Sequence, residues 1–289
     1  MRWRDLRRSQ NVKDVRGQRL GGGGGGLKLG LGGLVIAALA YFAGVDPRLV
    51  MGLLDTGGGA GLDPTQMQTE APTDDAGDFA SAILGSTEDV WGALFRASGS
   101  TYPAPQLVLF REMVPTACGT GESAMGPFYC PANQALYVDL GFFHELAGKL
   151  GGPADAARDD SFAKAYVLAH EVGHHVQTIT GISDKVRTAQ SRASQQEQNA
   201  LQVRMELQAD CYAGIWAHHA RERLTEQDID DALTAATAVG DDMIQKKMQG
   251  RVVPESFTHG SAEQRRRWFA RGFGSGQVDA CDTFAARTL

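Results

Sequence analysis

His170 and His174 stand four residues apart with Glu171 between them, in the stretch AHEVGHHVQ at residues 169–177. On a helix, positions i and i+4 share a face. Two imidazoles so spaced can grip one ion, while the glutamate beside them takes a proton from water. The pattern H-E-x-x-H is short enough to recur by chance, so the rest of a site has to be found elsewhere in the chain. A catalytic zinc site uses three protein ligands and keeps a fourth position open. MELQADCYAG, residues 205–214, offers the third, with Glu206 and Asp210 again at i and i+4. Glu206 is the expected ligand. Asp210 is the expected acceptor that fixes the tautomer of a ligand histidine. The neighbours Ala209, Cys211, Ile215 and Trp216 predict a largely buried helix, where carboxylates seldom sit without a partner. With one zinc ion per chain, Glu171 would act as general base for water attacking a polarised peptide carbonyl.

The helix bearing the motif has readable ends: Asp160 or Ser161 can cap it and Gly181 can stop it. Leu168, Val172, Val176 and Ile179 form its core-facing stripe, and Gly173 would keep the surface low beside the metal. Helical spacing also begins near Phe79. PQLVLFREMV at 105–114 and QALYVDLGFF at 134–143 have the β-branched and aromatic character of strands. Helical patterns dominate from Ala154, so residues 79–289 are expected to form an α+β domain, a small sheet followed by helices. The strand at 134–140 is the expected edge on which an extended peptide would pair. His144, His175, His218 and His219 are read as bystanders, and Arg265-Arg266-Arg267 as a solvated helix face.

The formal charge of −6 argues against a nucleic-acid partner. That charge is unevenly spread. The arm at residues 1–28 is rich in arginine and carries GGGGGG at 21–26, which reads as a loose tether. The run LGLGGLVIAALAYFAGV at 29–45 has no charge and is expected to be a single transmembrane signal anchor. Residues 46–78 read as a flexible acidic linker. Basic before and acidic after the apolar run predicts a cytoplasmic amino terminus and an extracytoplasmic catalytic domain facing peptide or protein substrates of the cell envelope. The four cysteines allow three pairings. The close pair Cys118–Cys130 would staple a short loop and leave Cys211–Cys281 to tie down the tail. Both bonds suit an oxidising compartment.

H-E-x-x-H followed by E-x-x-x-D resembles the gluzincin group of zinc peptidases. The wider pattern resembles a bacterial membrane-anchored family of neutral zinc metallopeptidases, through NVKDVRG, GPFYCPANQALYVDLGFF, AHEVGHHVQ, ELQADCYAG and FTHGSAEQRRRWF. The resemblance implies a zincin-like domain. It also implies a role for His259, donating a hydrogen bond to the oxyanion of the tetrahedral intermediate. Ser261 and Gln264 form a capping box, which puts His259 just before a helix start. Two other functions fit the same residues: an envelope scaffold with a structural zinc, and an amidase cutting a cell-wall peptide. A structural site closes with four protein ligands and has no use for Glu171, which favours hydrolysis.

Overall fold

A computed structural model describes residues 1–17, 69, 71–142, 161–238, 240–243, 245 and 252–289. Its strands are β1 (Val12–Asp14), β2 (Gln106–Phe110), β3 (Met113–Thr116), β4 (Gly119–Glu122), β5 (Phe128–Cys130) and β6 (Ala135–Asp139). The main helices are α1 (Asp75–Ala97), α2 (Ser161–Ile179), α3 (Ile182–Gln190), α4 (Gln195–His219), α5 (Glu226–Ala238) and α6 (Ala262–Ser275). The class is α+β, with one long helix ahead of the sheet as well as several after it.

A four-stranded mixed sheet has the order β1-β2-β6-β5, and β3 with β4 forms a separate hairpin. Alternation along the strands sends side chains to opposite faces. Leu107, Leu109, Leu136 and Val138 pack into the large core shared with the helices. Val108, Phe110, Ala135 and Tyr137 pack with Val114 of the hairpin in a second, smaller core. The expected strand at 105–114 breaks in two because Glu112 takes a positive φ of 61°. The strand at 134–140 is interior, contrary to expectation: β6 lies between β2 and β5, so the sheet edges are β1 and β5. Strand order is a long-range property that local pattern does not carry.

The amino-terminal arm is no loose tether over residues 1–17. Strand β1 pairs in parallel with β2, Val12 opposite Leu107. Trp3 is buried and meets Phe79 edge-on at 5.3 Å. Two arginines of the arm pair with α1 and its cap: Arg8 with Asp78 at 2.6 Å and Arg16 with Asp74 at 2.7 Å. No helix of the described residues is long and apolar enough to cross a membrane. The glycine tract, the 29–45 run, most of the 46–78 linker, His144 and Asp160 lie outside the described residues.

Two disulfides fasten the site-bearing elements. Cys118–Cys130 ties the turn of the β3–β4 hairpin to β5. Cys211–Cys281 joins α4 to the carboxy-terminal segment across 70 residues. In the chain-entropy picture, a loop of that length contributes about 4 kcal/mol.

Candidate metal centre

Helix α2 lies against α4 closely enough for their ligands to meet. Gly173 permits this: a Cβ there would stand 3.0 Å from both the Cα and the carbonyl oxygen of Ala209. The small residue therefore serves helix packing, not access to the metal. Across the junction, His170 Nε2 is 3.3 Å from Glu206 Oε2, and His174 Nε2 is 3.6 Å from Glu206 Oε1. One ligand atom from each residue lies within 4.8 Å of the others. Two imidazoles and a carboxylate are the donor set that suits zinc with a position left over.

Each ligand histidine is oriented from behind. His170 Nδ1 is 2.8 Å from Asp210 Oδ1. His174 Nδ1 is 2.9 Å from Gln177 Oε1. Both partners are acceptors, so both Nδ1 atoms carry a proton, and the two Nε2 atoms, which face Glu206, are the ones open to exchange a proton for a cation. Gln177 is held in turn, since its Nε2 donates to Met205 O at 2.8 Å and to Gln208 Oε1 at 3.1 Å. Gln208 Nε2 then donates to Cys281 O at 3.0 Å, which links the His174 support to the disulfide-bonded tail.

Arg265 departs most from expectation. It is 4% exposed, while Arg266 and Arg267 are on the surface. Its Nε and Nη2 each donate to Asp210 at 2.8 Å, a bidentate pair. Tyr166 OH donates to the same carboxylate at 2.5 Å. Helix α6 turns Arg265 inward with Ala262, Trp268, Phe269 and Gly272. Gly272 lets α6 lie directly on α4, where a Cβ would overlap Cys211 O.

Electrostatics follow from these contacts. Burial opposes the Asp210 carboxylate, but Arg265 and His170 outweigh it and bring its pKa down to about 2. Burial likewise opposes Glu206, which the two imidazoles hold well below the usual carboxylate range. Burial alone would depress His170, yet Asp210 and Glu206 raise it to about 10. A cation there competes with protons for the Nε2 atoms. Glu171 is buried and, despite the nearby histidines, burial pushes its carboxyl up.

His170, Glu171, His174 and Glu206 line a cleft of about 820 Å³ together with Phe128, Tyr129, Tyr166 and His259. His259 stands where the capping box places it, with Ser261 Oγ accepting from Gln264 N ahead of α6. Asp241, missed in the sequence, clamps this segment. Its Oδ2 accepts the amides of Thr258, His259 and Gly260 at 2.6, 2.6 and 3.2 Å. Its Oδ1 is 3.2 Å from His259 Nδ1, and this hydrogen bond raises the histidine's pKa against burial. His175 is buried, with Nε2 2.6 Å from Pro103 O and Nδ1 3.2 Å from Tyr129 OH. Burial lowers its pKa to about 4, so it stays neutral and fastens β5 to α2. His218 and His219 reach Phe273 O and Gly276 O and tie α4 to the end of α6.

A helix pair presents His170, His174, Glu206 and the buried Glu171 to a cleft, the arrangement that an H-E-x-x-H zinc peptidase requires. Comparison with known sequences carries this further. The pattern of the family described as "Putative neutral zinc metallopeptidase" matches residues 1–284, and the chain belongs to that family. It is 47% identical over 290 residues to "Uncharacterized protein YpfJ" of Escherichia coli (strain K12), covering 98% of this chain and 99% of that protein. It is 42% identical over 271 residues to "Uncharacterized protein Rv2575" of Mycobacterium tuberculosis (strain ATCC 25618 / H37Rv), covering 86% of each. No solved structure matches.

Proposed function

We propose that the protein is a zinc-dependent peptidase that hydrolyses peptide bonds with water. The observation that carries this reading is the convergence of His170, His174 and Glu206 beside buried Glu171 at the floor of the cleft. A zinc ion held by those three residues would supply a Lewis acid, bringing water's pKa toward neutrality. Glu171, its carboxyl raised by burial, accepts the water proton and delivers it to the leaving amine. His259, kept protonated by Asp241, donates a hydrogen bond to the oxyanion. An extended peptide would pair with β5, the edge strand whose Phe128 and Tyr129 line the cleft. A scaffold with structural zinc would need a fourth protein ligand, and the His, Cys, Asp and Glu cluster among the described residues has three members. Cleavage of a fluorogenic peptide library by the zinc-loaded chain, lost on chelation and regained with zinc, is the direct test.

The Asp241–His259 pair makes a pH prediction. A histidine whose pKa is raised stays protonated to higher pH, so activity that needs its proton falls as pH climbs through the raised value. Asp241→Asn removes the charge and returns His259 toward its ordinary value. The alkaline limb of kcat/KM against pH should therefore move to lower pH. An alkaline limb unmoved in Asp241→Asn would show that His259 does not donate to the oxyanion.

A further inference from the structure

The cleft over the ligands has two arms of unlike chemistry. On the sheet side, Met125, Pro127, Phe128 and Phe142 present mainly carbon, joined by Val167 of α2 and Val186 of α3. From Glu206 and His259 a second arm of about 710 Å³, sharing Gln190 and Gln202 with the main cleft, runs over the turn between α3 and α4, and its lining is mainly amide (Gln190, Gln195, Gln198, Asn199 and Gln202) with the hydroxyls of Ser191 and Thr258. Apart from the ligand Glu206 and His259, its charged lining residue is Arg187, which already pairs with Asp184 at 2.5 Å. Several amide nitrogens are engaged within the protein. Gln190 Nε2 donates to Gln198 O at 3.2 Å, Gln198 Nε2 to Ala193 O at 3.0 Å, and Gln202 Nε2 to Glu206 Oε1 at 2.9 Å. Their side-chain carbonyls are acceptors suited to N–H and O–H groups of a ligand. A charged side chain entering this arm would lose hydration without meeting a free counter-charge, whereas a neutral polar one would exchange water for amide. Sugar rings bind against aromatic platforms, and no Phe, Tyr or Trp lines this arm among the described residues.

We propose that the amide arm is a specificity subsite for uncharged polar residues (Gln, Asn, Ser, Thr) of a peptide, with a bulky apolar residue seated across the scissile bond on the sheet side. This deepens the peptidase reading and rests on it. The test profiles a synthetic peptide library in two ways: by cleavage with the zinc-loaded full chain, and by binding to its Glu171→Gln variant. Both profiles should favour Gln, Asn, Ser and Thr over Asp, Glu, Lys and Arg at the positions held by this arm. Gln195→Lys with Asn199→Lys should then improve Asp and Glu there by roughly threefold to fivefold per charge, with the apolar preference across the bond unchanged. If binding follows this pattern and nothing is cleaved, the subsite stands and the peptidase reading falls. A profile indifferent to charge, a double variant with the wild-type profile, or tighter binding of glycan strands than of peptides overturns the subsite.

Discussion

Glu171→Gln should lower kcat for peptide hydrolysis by about a hundredfold to ten-thousandfold while leaving zinc bound. The range is that of a positioned general base. The substitution keeps the shape of a buried side chain and removes its ability to take a proton. Because Glu171 is not among the three residues whose ligand atoms converge, metal content should stay at the wild-type level. His174→Ala provides the contrast, since it deletes one of three ligands and should lose the metal along with the activity. Metal analysis beside a fluorogenic peptide assay separates the two. Equal activity in wild type and Glu171→Gln would remove the hydrolytic mechanism. Equal zinc in wild type and His174→Ala would remove the metal centre.

Arg265→Met should destabilise the fold by about 3 kcal/mol, because it strands a buried carboxylate. Asp210 is fully buried, and Arg265 is its bidentate guanidinium partner, beside the single contacts from His170 Nδ1 and Tyr166 OH. The loss reaches the metal too. Asp210 holds His170 by Nδ1, and weakening such a support costs about tenfold to a hundredfold in metal affinity. Arg265→Met with Asp210→Leu, which removes both charges, should cost less stability than the sum of the single changes. Urea unfolding and chelator competition measure the two effects. Strictly additive losses, with unaltered zinc affinity in Arg265→Met, would show the pair to be ordinary helix packing.

The pairs that converge in the metal-binding candidate were legible because each is local: i and i+4 spacing needs no knowledge of the fold, and only the meeting of α2 with α4 had to be supplied. Arg265 was obscured by its two neighbours, yet a signal existed. Residues 265, 268, 269 and 272 repeat at the spacing of a buried helical stripe, and three of the four are Trp268, Phe269 and Gly272. Gln177, three residues after His174, lies in the same stretch, but an amide on a helix carries no sequence signature of its own. Asp241 could not be found from pattern. It reaches His259 across 18 residues, and its neighbours carry no period. The edge strand failed for the same reason, since β5 holds only three residues and its place beside β6 is set by the turn between them.

A hydrogen-bonded ladder cannot straddle a bilayer. Val12–Asp14 pairs with Leu107–Leu109, so the two segments must occupy one compartment. The charge rule, applied to a single crossing at residues 29–45, would set them on opposite faces. Two of the arginines that the rule counts are already engaged, for Arg8 pairs with Asp78 and Arg16 with Asp74. Asp14 N donates to Thr69 Oγ1 at 3.2 Å, so the chain departs after Gly17 and is back beside the same strand by Thr69. Epitopes placed at the two ends of the protein should therefore be shielded from, or open to, an impermeant protease together, and opposite protection would mean that β1 is not in the sheet.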